Sequence, residues 1–391
     1  MLFCRKAGYA VECRVRRLGG VLGDTGMHIV LAGAGHTHIE LLRCGSELTR
    51  AGHELTLVSP EPYHAYSGMG PGLLSGIYSE PDIVLPAAAL ARRAGARYIP
   101  DRIVSCDISA RVLTLASGAV CDYDLLSLNL GSEPVDRLPD SAAGRRVYMA
   151  KPIRELSALR GEIERRCRDL DGCEVSVVGA GAAGLEIAAN ATNLLSKFGP
   201  QRSVVNLFSS NAAPAGLTGR RREYVERHLA RIGVSFFGGM KVQAAEVPGD
   251  IVVIATGLRP PQVLRSFDLA LAPDGSVRVD RYLRSQSSSR VFAVGDCAYF
   301  AEQPLDRVGV YAVRQQAVLM ANLMAAAARA DTQLYDSAPL SPFSATGPYL
   351  AGFNLGYGCG LLYKGSWTLS GRAAFVVKDR IDRAFMRRYQ K

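Results

Sequence analysis

The sequence predicts an α/β chain made of two Rossmann-like dinucleotide-binding domains and an amphipathic C-terminal segment. Three observations predict it. A strand, a glycine loop and a helix follow one another twice, at "HIVLAGAGHTHIELL" and at "CEVSVVGAGAAGLEIAANATNLL". Each opening is answered further along by a hydrophobic strand ending in glycine, "CDYDLLSLNLGSEP" and "DIVVIATGLRPP". Glycine, at 40 of 391 residues, exceeds the usual ~7%, as suits loops where backbone approaches a ligand closely.

The length allows two domains, and 48% hydrophobic with 21% charged residues is ordinary for a globular core. The net charge of +10 is concentrated at the ends: +3 in residues 1–26 and +5 in residues 372–391, leaving +2 for everything between. A nucleic-acid binder carries a basic face across its body, so nucleic acid is not an expected partner. Basic ends suit a membrane surface or plain solvation. The nine cysteines show no CxxC and no zinc spacing, which argues for reduced thiols in a cytoplasmic setting. No apolar run reaches the ~18 residues needed to span a bilayer.

Residues 1–26 are Arg-rich and read as an extension, disordered or translated from an upstream start; a transit peptide is the other reading. The first loop keeps Gly33 and Gly35 but has His38 where a third glycine would stand. Turn and phosphate approach are thereby preserved. Only the helix-packing position changes, and a slightly wider helix–strand spacing accommodates it. Taken alone, the stretch is either a phosphate loop or a buried turn. The second loop has the full spacing, Gly179, Gly181 and Gly184. The first glycine makes the turn, the second admits the pyrophosphate, and the third lets the helix pack on the strand. Further on, "SSRVFAVGDCAYF" ends a strand in Gly295-Asp296, where a carboxylate can accept a hydroxyl proton from a ribityl chain. A long helix follows from Gly309.

In these segments the chain resembles the two-dinucleotide flavoproteins of the pyridine nucleotide–disulfide oxidoreductase superfamily, in particular the type II NADH dehydrogenase-like branch, which includes forms fused to selenide, water dikinase. The matching stretches run from "VLAGAGHTHIELL" and "LVSPEPYHAYSGMGPGLLSGIYS" through "YDLLSLNLGSEP", "VVGAGAAGLEIA" and "VFAVGDCA" to "GVYAVRQQAVLMANL" and the closing helix. The resemblance implies FAD at Gly33, Gly35, His38, Ser59, Ser67, Pro71, Gly131, Gly295 and Asp296. It implies NAD(P)H at Gly179, Gly181 and Gly184. It divides the chain into an FAD domain (27–150 and 266–330), an NAD(P)H domain (151–265) and a C-terminal interface segment (331–391). A homodimer is among the assemblies it implies.

Two departures bear on specificity. Ser59 and Ser209 end the strands where an acid often holds ribose hydroxyls, and losing the second acid removes repulsion toward a 2′-phosphate. Arg220, Arg221 and Arg222 either meet such a phosphate or form a solvated helix turn; NADH and NADPH both stay open. The segment beside the first loop, "YHAYSGMGPGLLSG", contains no cysteine, so a disulfide-reductase mechanism is not expected. Cys121, Cys167, Cys173 and Cys359 read as buried structural thiols.

What remains is hydride transfer to flavin and delivery to a quinone. The alternatives are a sulfide:quinone or soluble-carrier reductase, and a non-enzymatic flavin or NAD-binding sensor. The Gly309 helix would aim its positive end at the flavin. The resemblance puts Tyr311 and Gln315 near flavin and quinone; ordinary helix packing is the other reading. Glu186 is either a proton relay or an acid favoured by its helix dipole. His36 and His38 lack a third metal ligand nearby. In "AAFVVKDRIDRAFMRRYQK", Val377, Ile381, Phe385 and Tyr389 recur every four residues, with Lys378, Arg380, Arg383, Arg387 and Arg388 around them. Such a helix lies in a membrane interface or docks on the protein, and the first reading makes the enzyme peripheral on the inner face of a membrane.

Overall fold

The computed structural model describes residues 14–15, 26–44, 46–135, 146–170, 172–198, 203–243, 245–329 and 339–389. Most of the N-terminal extension lies outside them, although Arg14–Val15 pairs in parallel with Val120–Cys121. The chain forms two compact units: Met1–Pro62, Ala87–Gly131 and Pro260–Ala345 make the first, and Tyr63–Pro86, Ser132–Arg259 and Thr346–Lys391 the second.

A five-stranded sheet, parallel throughout, organises the first unit. Its spatial order is Val291–Ala293, Leu125–Leu128, His28–Ala32, Glu54–Val58, Arg97–Ile99. Ile29, Val30 and Leu31 are fully buried, as expected of a strand covered on both faces. The chain starts at the central strand, builds outward on one side, then returns to the other through Leu125–Leu128. The loops leaving His28–Ala32 and Leu125–Leu128 therefore diverge at a topological switch point, where open parallel sheets bind ligands. The helix His36–Cys44 leaves the first of these loops and packs with the helix Gly309–Ala327.

The second unit repeats the plan. Its parallel sheet runs Arg146–Met149, Ile251–Ile254, Glu174–Val178, Val204–Ser209, Val234–Gly238. The switch point falls between Glu174–Val178 and Ile251–Ile254, and the helix Ala182–Leu195 starts there. This helix is Ala-rich and buried along most of its length, which allows close approach to the sheet. An antiparallel meander, Ala351–Asn354, Gly360–Lys364 and Trp367–Gly371, also belongs to this unit, followed by the helix Arg372–Arg387. Among the described residues, no helix is long and apolar enough to cross a membrane.

Candidate functional site

In the first cradle the chain turns at Gly33 with φ +89°. A Cβ there would stand 2.6 Å from the Asn129 carbonyl, and one at Gly35 would collide with the Asn129 side chain. Asn129 is a residue that sequence reasoning missed. It is buried, its Oδ1 accepts from the amides of Thr37 (3.1 Å) and His38 (3.3 Å), and its Nδ2 donates to the Val294 carbonyl at 2.9 Å. One carboxamide thus ties the loop helix to both strands beyond the switch point. Its signal was present as the polar residue of "LSLNLGS", but polarity alone does not reveal three partners.

His38 does more than space the helix from the sheet. It is fully buried, with Nδ1 2.6 Å from the Gly33 carbonyl and Nε2 2.8 Å from Ser127 Oγ. A carbonyl only accepts, so the proton sits on Nδ1 and Nε2 accepts from the Ser127 hydroxyl. Burial pushes its pKa down to about 4, against the Gly33 hydrogen bond, which raises it. The ring is neutral and has no free nitrogen for a metal. Thr37 Oγ1 donates to the Ala312 carbonyl at 2.6 Å, joining the loop helix to the Gly309 helix.

Gly295 has φ +67° and donates its amide to Gln315 Oε1 at 2.7 Å. Gln315 is 2% exposed, so its carboxamide shapes the Gly295-Asp296 turn from within. Arg307 donates to the Asp296 carbonyl at 3.2 Å and holds the same turn from another side. Tyr311 lies half-buried in the first turn of the Gly309 helix. Ser59 is buried and donates to the Glu61 carbonyl at 3.3 Å. Gly131, at φ +73°, would place a Cβ in open space.

The second cradle belongs to the second unit. Gly179 (φ +101°) would bring a Cβ to 2.6 Å from the Ala255 carbonyl, and a Cβ on Gly184 would collide with the Gly179 carbonyl. A Cβ on Gly181 meets nothing within 4 Å, which is the free approach a pyrophosphate requires. Beside Gly179, the Thr256 hydroxyl is buried without a hydrogen-bond partner. Both cradles therefore fit the dinucleotides the sequence calls for: open space at Gly131 and Gly181, and an orphaned hydroxyl at Thr256. Ser209, buried at its strand end, accepts from the Asn211 amide at 3.1 Å. Arg221 is committed elsewhere, donating to Thr368 at 2.8 Å and stacking on Tyr363. Arg222 pairs with Glu226 at 2.7 Å but also reaches the Ala212 carbonyl in the loop after Ser209.

The same unit buries a cluster of ionisable groups around Glu186. The Glu186 carboxylate Oε1 accepts from the Asn354 amide at 2.6 Å. Burial pushes its pKa up to about 7, with Lys378 and the Asn354 hydrogen bond pulling the other way. One turn on, Asn190 donates to the carbonyls of Glu186 (2.8 Å) and Asn354 (3.0 Å) and accepts from Ser75. Ser67 is half-buried and Pro71 buried in the short helical segments of this unit. The C-terminal helix corrects a sequence expectation. Its buried stripe is Ala374, Lys378, Asp382 and Met386, whereas Val377 and Ile381 are 37% and 45% exposed. Lys378, expected on the solvated face, is interior because Asp382 and the Gly68 carbonyl neutralise and solvate its ammonium. Cys121, Cys167 and Cys173 are buried as expected; Cys359 is half-exposed, its sulfur 3.8 Å from Arg231.

Residues 27–326 match the family model for pyridine nucleotide-disulphide oxidoreductases. The chain belongs to that family. FAD and NAD(P)H are its cofactors. Among its relatives is an internal alternative NAD(P)H-ubiquinone oxidoreductase A1 of Arabidopsis thaliana mitochondria, 28% identical over 209 residues, 46% of this chain and 41% of the relative. Ferroptosis suppressor protein 1 of Taeniopygia guttata is 26% identical over 231 residues, 53% of this chain and 58% of the relative. The match thus spans about half the length of these curated relatives. The NADH-bound NDH2 structure from Plasmodium falciparum shares the fold, with TM-score 0.74 and 13% identity over 92% of this chain and 97% of that one. So does the sulfide:quinone oxidoreductase of Aquifex aeolicus, with TM-score 0.73 and 18% identity over 92% and 90%.

Proposed function

We propose that this protein is an FAD-dependent NAD(P)H dehydrogenase that hands electrons to a quinone without a cysteine relay. The observation that carries this reading is the pair of glycine cradles, each at a switch point of its own parallel sheet, in a chain whose 63–86 segment contains no cysteine. A disulfide reductase needs two thiols there; a quinone reductase needs none. Flavin, when bound, supplies the exchange between a two-electron donor and its acceptor. The chain's own residues hold and shape. Asn129, His38 and Gln315 fix the backbone of the first cradle. Tyr311, in the first turn of its helix, stands near the flavin in this reading.

Reducing a quinone with NAD(P)H consumes one hydride and one further proton. Glu186 supplies that proton in our reading: its O–H bond breaks, an O–H bond forms on the acceptor, and solvent reprotonates the carboxylate. A carboxyl with a pKa near 7 suits the task, since it is protonated often enough to give and ionised often enough to be reloaded.

The exposed face of the C-terminal helix is the membrane contact in this reading. Val376, Val377 and Ile381 are exposed beside Arg372, Arg380 and Arg387, with Trp367 51% exposed just before the helix. Apolar side chains rimmed by arginines suit an anionic bilayer interface.

Anaerobic mixing of the flavin-loaded protein with NADH, NADPH or sulfide tests the electron path. Rapid flavin bleaching by a pyridine nucleotide, followed by reoxidation with a short-chain ubiquinone analogue, is expected. Bleaching by sulfide alone would make the protein a sulfide oxidoreductase, and bleaching by none would leave a binding module. Val377→Glu with Ile381→Glu should release the protein from anionic vesicles at unchanged turnover; unchanged partitioning removes the membrane reading. Deleting the helix would be a poorer test, because it also removes buried Lys378, Asp382 and Met386.

A further inference from the structure

The second unit buries two carboxyls and one ammonium close together. Lys378 Nζ lies 2.7 Å from Asp382 Oδ2 and donates to the Gly68 carbonyl at 2.8 Å. Asp382 also accepts from Tyr66 Oη at 3.1 Å. Lys378, Asp382 and Glu186 are all less than 10% exposed. The ammonium's hydrogen bonds go to Asp382 and the Gly68 carbonyl, whereas Glu186 accepts from the Asn354 amide and feels Lys378 through space. The groups facing Glu186 are Lys378 and Asp382 from the C-terminal helix and Tyr66 from the 63–69 segment, with Asp379 and Tyr389 acting on Lys378 and Tyr66 behind them.

Two acids share one cation, so only one can be ionised cheaply in this interior. The closer, doubly hydrogen-bonded acid takes the charge. We infer that Asp382 is a positioning residue: by holding Lys378, with Tyr66 fixing its other oxygen, it takes the ammonium's hydrogen bond away from Glu186 and so keeps the Glu186 carboxyl protonated and able to give its proton to the acceptor. This rests on the reading of Glu186 as proton donor. It adds that the donor's readiness is set by a residue 196 positions further along the chain, on the C-terminal helix.

Burial raises both acids, and at Asp382 the Lys378 and Tyr66 contacts pull the other way. Burial raises Glu186 most, Lys378 opposes it, and Asp382 pushes it further up. Lys378 is held charged: burial works against its ammonium, but Glu186 and Asp382 together outweigh that. Tyr66 is pushed well up by burial and by Asp382, so it remains a hydrogen-bond donor at any working pH.

The test uses the flavin-loaded full chain and two readouts. Infrared titration follows the carboxylic C=O band that Glu186→Gln abolishes. Steady-state kcat with NADH and a short-chain ubiquinone analogue follows the alkaline limb of the pH profile. Asp382→Asn frees Lys378 to pair with Glu186, so both midpoints should fall by at least about one pH unit, a tenfold loss of protonated Glu186 above the midpoint. Asp382→Glu should restore them. Tyr66→Phe weakens Asp382 as a partner without removing a charge, and should move both midpoints the same way by a smaller amount. If Asp382→Asn does not fold, Tyr66→Phe decides alone. Unmoved midpoints in a folded variant overturn the inference even when Glu186→Gln is defective. Wild-type turnover in Glu186→Gln would instead remove the donor reading itself.

Discussion

The two glycine loops solve one problem in two ways. Each makes its turn with a left-handed glycine, Gly33 or Gly179, whose carbonyl points at the following helix. In the second loop Gly184 presses bare backbone against the Gly179 carbonyl, and no side chain fits between. In the first, His38 occupies that place and its Nδ1–H satisfies the Gly33 carbonyl directly. The third glycine of the motif is therefore a packing device, and a buried, neutral, doubly bonded side chain replaces it where the neighbouring strand offers a second partner, here Ser127. The second glycines differ as well: a Cβ at Gly181 meets nothing, whereas one at Gly35 would run into the Asn129 side chain.

The contrast can be broken most violently at Gly184. Gly184→Ala drives a methyl into the Gly179 carbonyl, and should cost about 3 kcal/mol or more. Thermal melting should show it, and flavin bleaching by NAD(P)H should be lost while FAD stays bound; loss of FAD would mean the loops are assigned the wrong way round. His38→Ala comes next. It opens a cavity and leaves Gly33 and Ser127 unpaired, costing about 2–4 kcal/mol and lowering FAD occupancy. A neutral effect would show that the imidazole is filler. Gly181→Val separates binding from folding: with no neighbour within 4 Å, it should leave the melting temperature nearly unchanged and raise the KM for NADH about 100-fold or more.

The smallest effect is a pH dependence unique to the first loop. The folded pKa of His38 lies near 4, below its ordinary 6.5, so the unfolded chain binds more protons between these values. Its contribution is complete above pH 6.5 and is lost as pH falls through 4, so only part of it is read at the pH values between. His38→Asn keeps a donor and an acceptor but cannot titrate. Its denaturant midpoint should fall less steeply than wild type across that window, and equal slopes would contradict a neutral buried ring.

Much of this was legible in advance because it is local. Two strand–loop–helix openings, the closing strands at Leu125 and Ile251, the Gly295-Asp296 turn and the Gly309 helix are all written in runs of a few adjacent residues. The C-terminal helix was legible as a helix but not in its facing. Its apolar spacing grouped Val377, Ile381, Phe385 and Tyr389 on one face with Lys378 outside it, yet the fold buries Lys378 and Asp382 and leaves Val377 and Ile381 exposed. Hydrophobic periodicity assumes that charges seek water, and an ion pair backed by a carbonyl and a tyrosine hydroxyl does not.

By itself, then, the sequence determined that the chain makes two strand–glycine loop–helix units of an α/β fold, because glycine positions and β-branched runs act within a few residues. Only the tertiary structure decided that Asn129 clamps the first loop, that His38 is a neutral hydrogen-bonding plug, and that the buried Lys378 ammonium bonds Asp382 and the Gly68 carbonyl. Those outcomes depend on which groups meet across 90 to 310 residues of chain, and on the low dielectric of the interior where they meet.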